Sequence, residues 1–335
     1  LTPYDSLISK YDIDYDSVKI DEVFSVIDKE IIPKYKNIQK IKSPFIYKSD
    51  ISDTKILKEI KIKLEQLNFD FDRGRIDQSH HPFCGGATND VRITTRFEEN
   101  ILESLSALFH ETGHGVYEQN RPIQYLYEPL GQSRSLSVHE SQSLFFENHI
   151  FKSQTYFKII NTIFDNSKDL EKSFLEHYHT VRINPIRVSA DEFSYPIHVF
   201  IRYQIEKEIF KNKIKFKDIK DLWNKKYLDH LEIDLISDSE GVLQDIHWYE
   251  GIFGYFPTYA LGAMIASQIK YNCPLFDIFL KNPDEENIKQ LIIWLNNNIH
   301  QKASLYSSDE MLQSISGEKL NSKYYLEHLV GRFVK

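Results

Sequence analysis

Apolar residues recur at helical spacing along most of the chain. Residues 18–40 (VKIDEVFSVIDKEIIPKYKNIQK) and 53–68 (DTKILKEIKIKLEQLN) carry them three and four positions apart, and 218–231, 260–271 and 285–300 repeat the pattern. Each stretch is expected to form a helix. One segment breaks the rhythm. In 87–97 (ATNDVRITTRF), Val91, Ile93 and Thr95 alternate with Arg92, Thr94 and Arg96. That period of two predicts a strand. The turn-rich tract SHHPFCGGATND precedes it. The pattern predicts a mainly α single domain over 1–335, with a small β-sheet near residue 90 and no internal repeat or low-complexity linker. The apolar stripe Val23, Ile27 and Ile31 in the first helix has no evident partner, so an exposed apolar patch is expected there.

A further helix is expected from near Asn100 through Glu118. At ~100° per residue, Ile101, Leu105, Leu108 and Thr112 share one stripe, and His110 and His114 fall opposite it beside Glu103, Ser106 and Tyr117. One face should therefore pack inward while both imidazoles face a polar space. Residues i and i+4 lie one above the other on a helix, so the two rings of HETGH can reach one ion, with Glu111 placed to act on a water. This is the zincin arrangement. A catalytic zinc needs a third protein ligand. The metzincin extension would put a histidine at position 120, where this chain has Asn120. The thermolysin-type pattern places a glutamate ~20 to 30 residues downstream on a second helix, and Glu140 lies in that window. Ser137 and Glu140 also read as a capping box, which starts a helix without any metal, and both roles stay open. The combination predicts a gluzincin-type helical fold with the small sheet beside the helix that carries HETGH.

Charge and cysteine content narrow the partners. A formal charge of -8 and a pI of about 5.9 give no electrostatic reason to bind nucleic acid or anionic lipid, and the basic Lys211-Asn212-Lys213 reads as a solvated helix face. Two distant cysteines, Cys84 and Cys273, suggest neither a disulfide framework nor a thiolate site. A reducing, cytoplasmic location is expected. No apolar run approaches the ~18 residues of a membrane span, and the N-terminal sequence does not read as a secretory signal. Zinc is the default ion for two histidines and a glutamate, and cobalt fits the same ligands.

Further motifs follow in order. HPF stands at His81, Pro82 and Phe83, and DxRxT at Asp90, Arg92 and Thr94. HExxH at His110 is followed by HESQ at His139 to Gln142, and by IRxxAD at Ile186, Arg187, Ala190 and Asp191. GxxQDxHW stands at Gly241, Gln244, Asp245, His247 and Trp248, then GYFPTY from Gly254 to Tyr259. In this set and order the chain resembles the carboxypeptidase Taq-type metallocarboxypeptidases, from about Tyr4 to Phe333. The resemblance implies a largely helical fold and metal-dependent removal of single residues from peptides with a free C-terminus. It implies His110, His114 and Glu140 as ligands, Glu111 as general acid/base, and a homodimer. Such proteins carry a helical region before the segment matching Leu1, so the resemblance also implies a separate or missing N-terminal helical segment.

Peptide hydrolysis needs donors for a developing oxyanion, and His247, Tyr255 and Tyr259 are candidates, with core packing as their other reading. The ring of His247, flanked by Asp245 and Trp248, reads as an oriented imidazole. An exopeptidase must also hold a carboxylate, which arginine does through a bidentate fork. Arg187 is the first candidate and Arg92 the second. Each has a structural ion pair as its alternative, with Asp191 or Asp90. His81 either shapes the pocket floor or only turns the chain, and Cys84 after HPF reads as a packed small residue. Two other readings compete with a carboxypeptidase: an endopeptidase of similar fold, and a shortened or partner-dependent homologue that serves as a binding subunit.

Overall fold

The structure, a computed structural model, describes residues 2–334 and is mainly helical. The chain divides into two compact units, one formed by Leu1–Pro44, Glu176–Met264 and Asn321–Lys335, the other by Phe45–Leu175 and Ile265–Leu320.

In the first unit the expected helix 18–40 is three pieces: an α-helix Ser17–Val26, a π-helical turn Ile27–Ile31 and an α-helix Ile32–Asn37. Pro33 explains the interruption. It has no N–H to give to the preceding turn, and a wider turn absorbs its ring. The expected exposed stripe is corrected here. Ile27 and Ile31 are fully buried, and Phe24 meets Phe200 and Tyr203 of helix Tyr195–Phe210 edge-on. The stripe has a partner within the chain that local sequence does not reveal. A short parallel ribbon pairs Lys40–Ile41 with Val181–Arg182.

The second unit holds a three-stranded sheet. Gly74–Gln78 runs parallel to the central strand Asp90–Thr95, and Cys84–Ala87 pairs with it antiparallel. Val91 and Ile93 point inward and Arg92 outward, as the period of two requires. The sheet packs on helix Ile101–Gln119, whose N-cap Asn100 accepts a hydrogen bond from the amide of Leu102 at 3.2 Å. This helix is buried on nearly all sides. Ser106 and Tyr117, expected on the polar face, are buried as fully as Leu105 and Leu108. The cover on that side is helix Leu136–Leu144 and the π-helical segment Phe145–Phe151 that continues it. The other expected helices form as Asp53–Gln66, Ile219–Leu231, Pro257–Asn272 and Glu285–Asn298. Among the described residues no helix is long and apolar enough to cross a membrane.

The approach of the two helices is set by Gly113, the fourth residue of HETGH. A β-carbon there would lie 2.4 Å from the carbonyl oxygen of Gln142 and 2.7 Å from Cα of Ser143. Gly331, in helix Lys323–Phe333, has nothing within 4 Å of the same position. Alanine gains up to ~1 kcal/mol of helix propensity over glycine. Gly331→Ala should therefore be neutral or mildly stabilising. Gly113→Ala should instead lose about 1–3 kcal/mol, because backbone must move to admit the methyl. Thermal unfolding of both variants in chelator checks this, and equal melting temperatures would show that the helices are not so closely set.

Candidate metal centre

Helix Ile101–Gln119 presents His110 and His114 one turn apart, their ring centroids 4.9 Å apart. Helix Leu136–Leu144 presents Glu140 opposite them. Its Oε2 lies 3.4 Å from Nε2 of His114 and 3.7 Å from Nε2 of His110. One donor atom from each of the three residues falls within 4.8 Å of the others. The capping-box reading of Glu140 is corrected. The helix is capped by Ser135, whose Oγ accepts from the amide of Val138 at 3.2 Å, and Ser137 is a fully buried helical residue. The Glu140 carboxylate is left to face the imidazoles, steadied by the Ser143 hydroxyl at 3.2 Å.

Both rings are held from behind through Nδ1, which turns Nε2 of each toward the shared point. His110 Nδ1 lies 2.8 Å from Oε2 of Glu147, whose Oε1 accepts from Ser106 Oγ and Lys152 Nζ at 2.7 Å. His114 Nδ1 lies 2.6 Å from Nδ1 of His139, and His139 Nε2 lies 2.8 Å from Oε1 of Glu118. Sequence reasoning missed Glu147, His139 and Glu118. Two signals were available. Glu118 is four residues beyond His114 on the same helix face. Glu147 is seven beyond Glu140, two turns on, where the π-helical turn resets its aim.

The electrostatics suit a cation. Burial, opposed by His110 and reinforced by Glu140 and Glu147, pushes the Glu111 carboxyl up to about 7. Its Oε2 is buried without a hydrogen-bond partner. Burial works against charge on His110, yet Glu140, Glu147 and Glu111 raise its ring to about 10. Burial, the largest cause, lowers His114 to about 4. A single proton thus sits on His110 among carboxylates, where a divalent ion would take its place. Two imidazole nitrogens and one carboxylate oxygen, with an orphaned carboxylate beside them, fit such an ion by donor type and number. Cys84 is no thiolate donor. Burial, then Glu111 and Glu118, push its thiol well up.

The remaining expected site residues fall in two places. In this same unit, His81 is exposed and its carbonyl accepts from Thr94 Oγ1 at 3.3 Å, while Phe83 N donates to that hydroxyl at 2.9 Å. HPF and DxRxT are therefore one hydrogen-bonded element. Arg92 is 48% exposed and forks onto Asp90 through Nε and Nη2. Arg187, His247, Tyr255 and Tyr259 gather in the first unit. Arg187 is buried and pairs with Asp245 rather than Asp191: its Nε reaches Oδ1 at 2.9 Å, and its Nη1 donates to Tyr195 at 2.9 Å. Asp191 instead accepts from the amides of Arg182, Phe193 and Ser194. His247 Nε2 lies 3.1 Å from the Tyr259 hydroxyl, and burial with nearby Arg187 lowers its ring to about 4. Tyr255 packs its ring against those of Tyr11, His247 and Tyr259.

Residues 1–333 match the family described as carboxypeptidase Taq (M32) metallopeptidase. The chain is 36% identical over 348 residues to carboxypeptidase 1 of Bacillus subtilis, covering 99% of this chain and 68% of that protein. It is 30% identical over 349 residues to thermostable carboxypeptidase 1 of Pyrococcus furiosus, covering 99% and 69%. The solved structure of Trypanosoma cruzi metallocarboxypeptidase 1 superposes with a TM-score of 0.87 at 33% identity, over 99% of this chain and 72% of that one. Over nearly its whole length, the chain belongs to the carboxypeptidase Taq (M32) metallopeptidase family and is a metallocarboxypeptidase.

Proposed function

We propose that this chain cleaves the last peptide bond of its substrates with a zinc ion held by His110, His114 and Glu140, and with Glu111 as the general acid/base. The observation that carries the reading is the convergence of those three donors beside a buried carboxylate oxygen that has no partner. Three protein ligands with one position open is the pattern of a catalytic rather than a structural zinc, and cobalt suits the same donors. When bound, the ion polarises the scissile carbonyl and lowers the pKa of a water toward ~7. Glu111 takes a proton from the attacking water as the new C–O bond forms. It returns a proton to the amine nitrogen as the C–N bond breaks. A buried carboxyl group, whose burial opposes charge, is suited to take and return a proton in that exchange. Glu147 and His139 keep the two imidazoles from turning.

For the substrate carboxylate, exposure favours Arg92 over Arg187. The Arg92 guanidinium is accessible on the outward face of strand Asp90–Thr95, whereas that of Arg187 is 7% exposed and committed to Asp245. Arg92 can exchange Asp90 for a substrate carboxylate without uncovering a buried charge.

Glu111→Gln should keep its zinc and lose nearly all hydrolysis. Metal analysis and steady-state kinetics on the same sample check both halves, and a tenth of the parental rate would remove Glu111 from the role. Arg92→Gln should raise KM for free-acid peptides about 10- to 100-fold, the loss of one charge-assisted fork, with kcat little changed. Amidated peptides should be poor substrates for the parent and no worse for the variant. An unchanged KM would move carboxylate recognition to another residue.

A further inference from the structure

We propose that His139 and Glu118 are positioning residues that fix the tautomer of His114 and so keep its Nε2 lone pair for the ion. The inference rests on His114 as a ligand and adds what holds it in the binding form.

The argument starts from one distance. Nδ1 of His114 and Nδ1 of His139 are 2.6 Å apart. Two ring nitrogens that close must share one proton: with none there is no bond, and with two the hydrogens collide. Nε2 of His114 faces Glu140. A ligating Nε2 carries no proton, so a neutral His114 must carry its proton on Nδ1 and donate it to His139. His139 Nδ1 is then an acceptor, and the one proton of its neutral ring sits on Nε2. That proton is donated to Oε1 of Glu118 at 2.8 Å. Every nitrogen in the chain is assigned by this sequence.

What makes it run in that direction lies at its far end. Oε2 of Glu118 accepts from Arg121 Nη2 at 2.8 Å. Arg121 in turn donates to the carbonyl of Gly131 at 2.7 Å and to Thr88 Oγ1 at 2.9 Å. A guanidinium has only donors, so the group between it and His139 must accept at both ends, and an ionised carboxylate does. The rings leave little freedom to rearrange. His139 lies 4.5 Å from His114 and 5.3 Å from Tyr117, centroid to centroid. A histidine whose outer nitrogen is fixed by a hydrogen-bond acceptor is a recurring support for metal ligands. Here the support is a second histidine that relays a carboxylate's demand.

Glu118→Gln separates this from packing. The amide is isosteric, but Arg121 will draw its carbonyl oxygen and turn its NH2 toward His139. His139 Nε2 must then accept, its proton moves to Nδ1, and His114 is left with its proton on Nε2, where the ion should bind. A conservative change thus reverses the chain. Zinc affinity would be measured on the full chain by competition with a chromophoric chelator, with the visible spectrum of the Co2+-loaded protein and the melting temperature in chelator as companions. Glu118→Gln should weaken zinc at least tenfold and alter the Co2+ bands, while the metal-free melting temperature stays within a few degrees of the parent. His139→Leu, which removes the acceptor, should also lose tenfold or more. His139→Asn, whose side-chain oxygen can stand near the Nδ1 position, should bind within about threefold of the parent. Parental affinity and bands in Glu118→Gln overturn the proposal, whatever His139→Leu shows. Should Glu118→Gln fail to fold, equal affinities for His139→Leu and His139→Asn overturn it. Glu140→Gln distinguishes the two levels: if it binds zinc as tightly as the parent, the ligand reading fails first. If it loses zinc while Glu118→Gln does not, only the present inference falls.

Discussion

The main-chain carbonyl of Gln142 occupies the space that a β-carbon on residue 113 would need, and the convergence of His110, His114 and Glu140 depends on that contact. Two of the three donors come from one helix and the third from another. Their separation is therefore the separation of two helix axes. Side chains reach a fixed distance from a helix axis, so a shift of an ångström between the helices would carry Glu140 out of range of both imidazoles. A glycine between the histidines removes the side chain that would hold the helices apart. The second helix is itself locked: Gln142 is fully buried, and its Oε1 lies 3.0 Å from Nε2 of His300.

The first unit shows the same use of buried polar groups as ties. Asp245 lies between Arg187 and Arg202, with Gln244 Oε1 accepting from the Arg187 amide and from Arg202 Nη2. Glu206 accepts from Tyr4, Trp248 and the amide of Gly254. These bonds fasten the long segment after helix Ile219–Leu231 to helix Tyr195–Phe210. A buried ion pair adds little stability over a packed apolar cluster, but removing one partner strands a charge. The motif residues Arg187, Gln244, Asp245 and Trp248 are thus explained as one framework before any of them is asked to touch a substrate.

Much of this was legible in the sequence. Periodicity located the helices it named within a few residues, the interrupted 18–40 aside, and the strand at Asp90–Thr95, because an amphipathic face or an alternating edge leaves its mark locally; helices Tyr195–Phe210 and Lys323–Phe333 were not among them. The spacing of HETGH placed His110 and His114 together, since i and i+4 share a helix face whatever surrounds them. The misses have a common cause. That Ser135 and not Ser137 caps the second helix depends on where one residue leaves helical geometry, and the two serines differ little in propensity. Val23, Ile27 and Ile31 looked unpartnered because their cover is far along the chain. Arg187 was assigned Asp191 as its neighbour in sequence, and the true partner is 58 residues away. His139 carries no local sign of its contact with His114, because that contact is defined by position in space.

Charge connects these pieces. Glu111, Glu118, Glu140 and Glu147 are gathered around the imidazoles of His110 and His114, with Arg121 and Lys152 as the cations paired to them. Four carboxylates against two cations leave two negative charges, the charge that one divalent ion supplies. Without the ion, Glu140, Glu147 and Glu111 hold a proton on His110 against burial, while burial first and then Glu140 and Glu147 raise the proton affinity of Glu111. With the ion, the protons leave and the same excess becomes affinity. The two supports divide the work unequally. Glu147 is balanced by Lys152 and gives His110 a direct anionic partner, while the charge of Glu118 is balanced by Arg121 and reaches His114 only through the neutral ring of His139. A full carboxylate at both nitrogens would add negative charge beside Glu111 and raise its proton affinity further. Placing an imidazole in one of the two positions orients His114 and spares Glu111 that penalty.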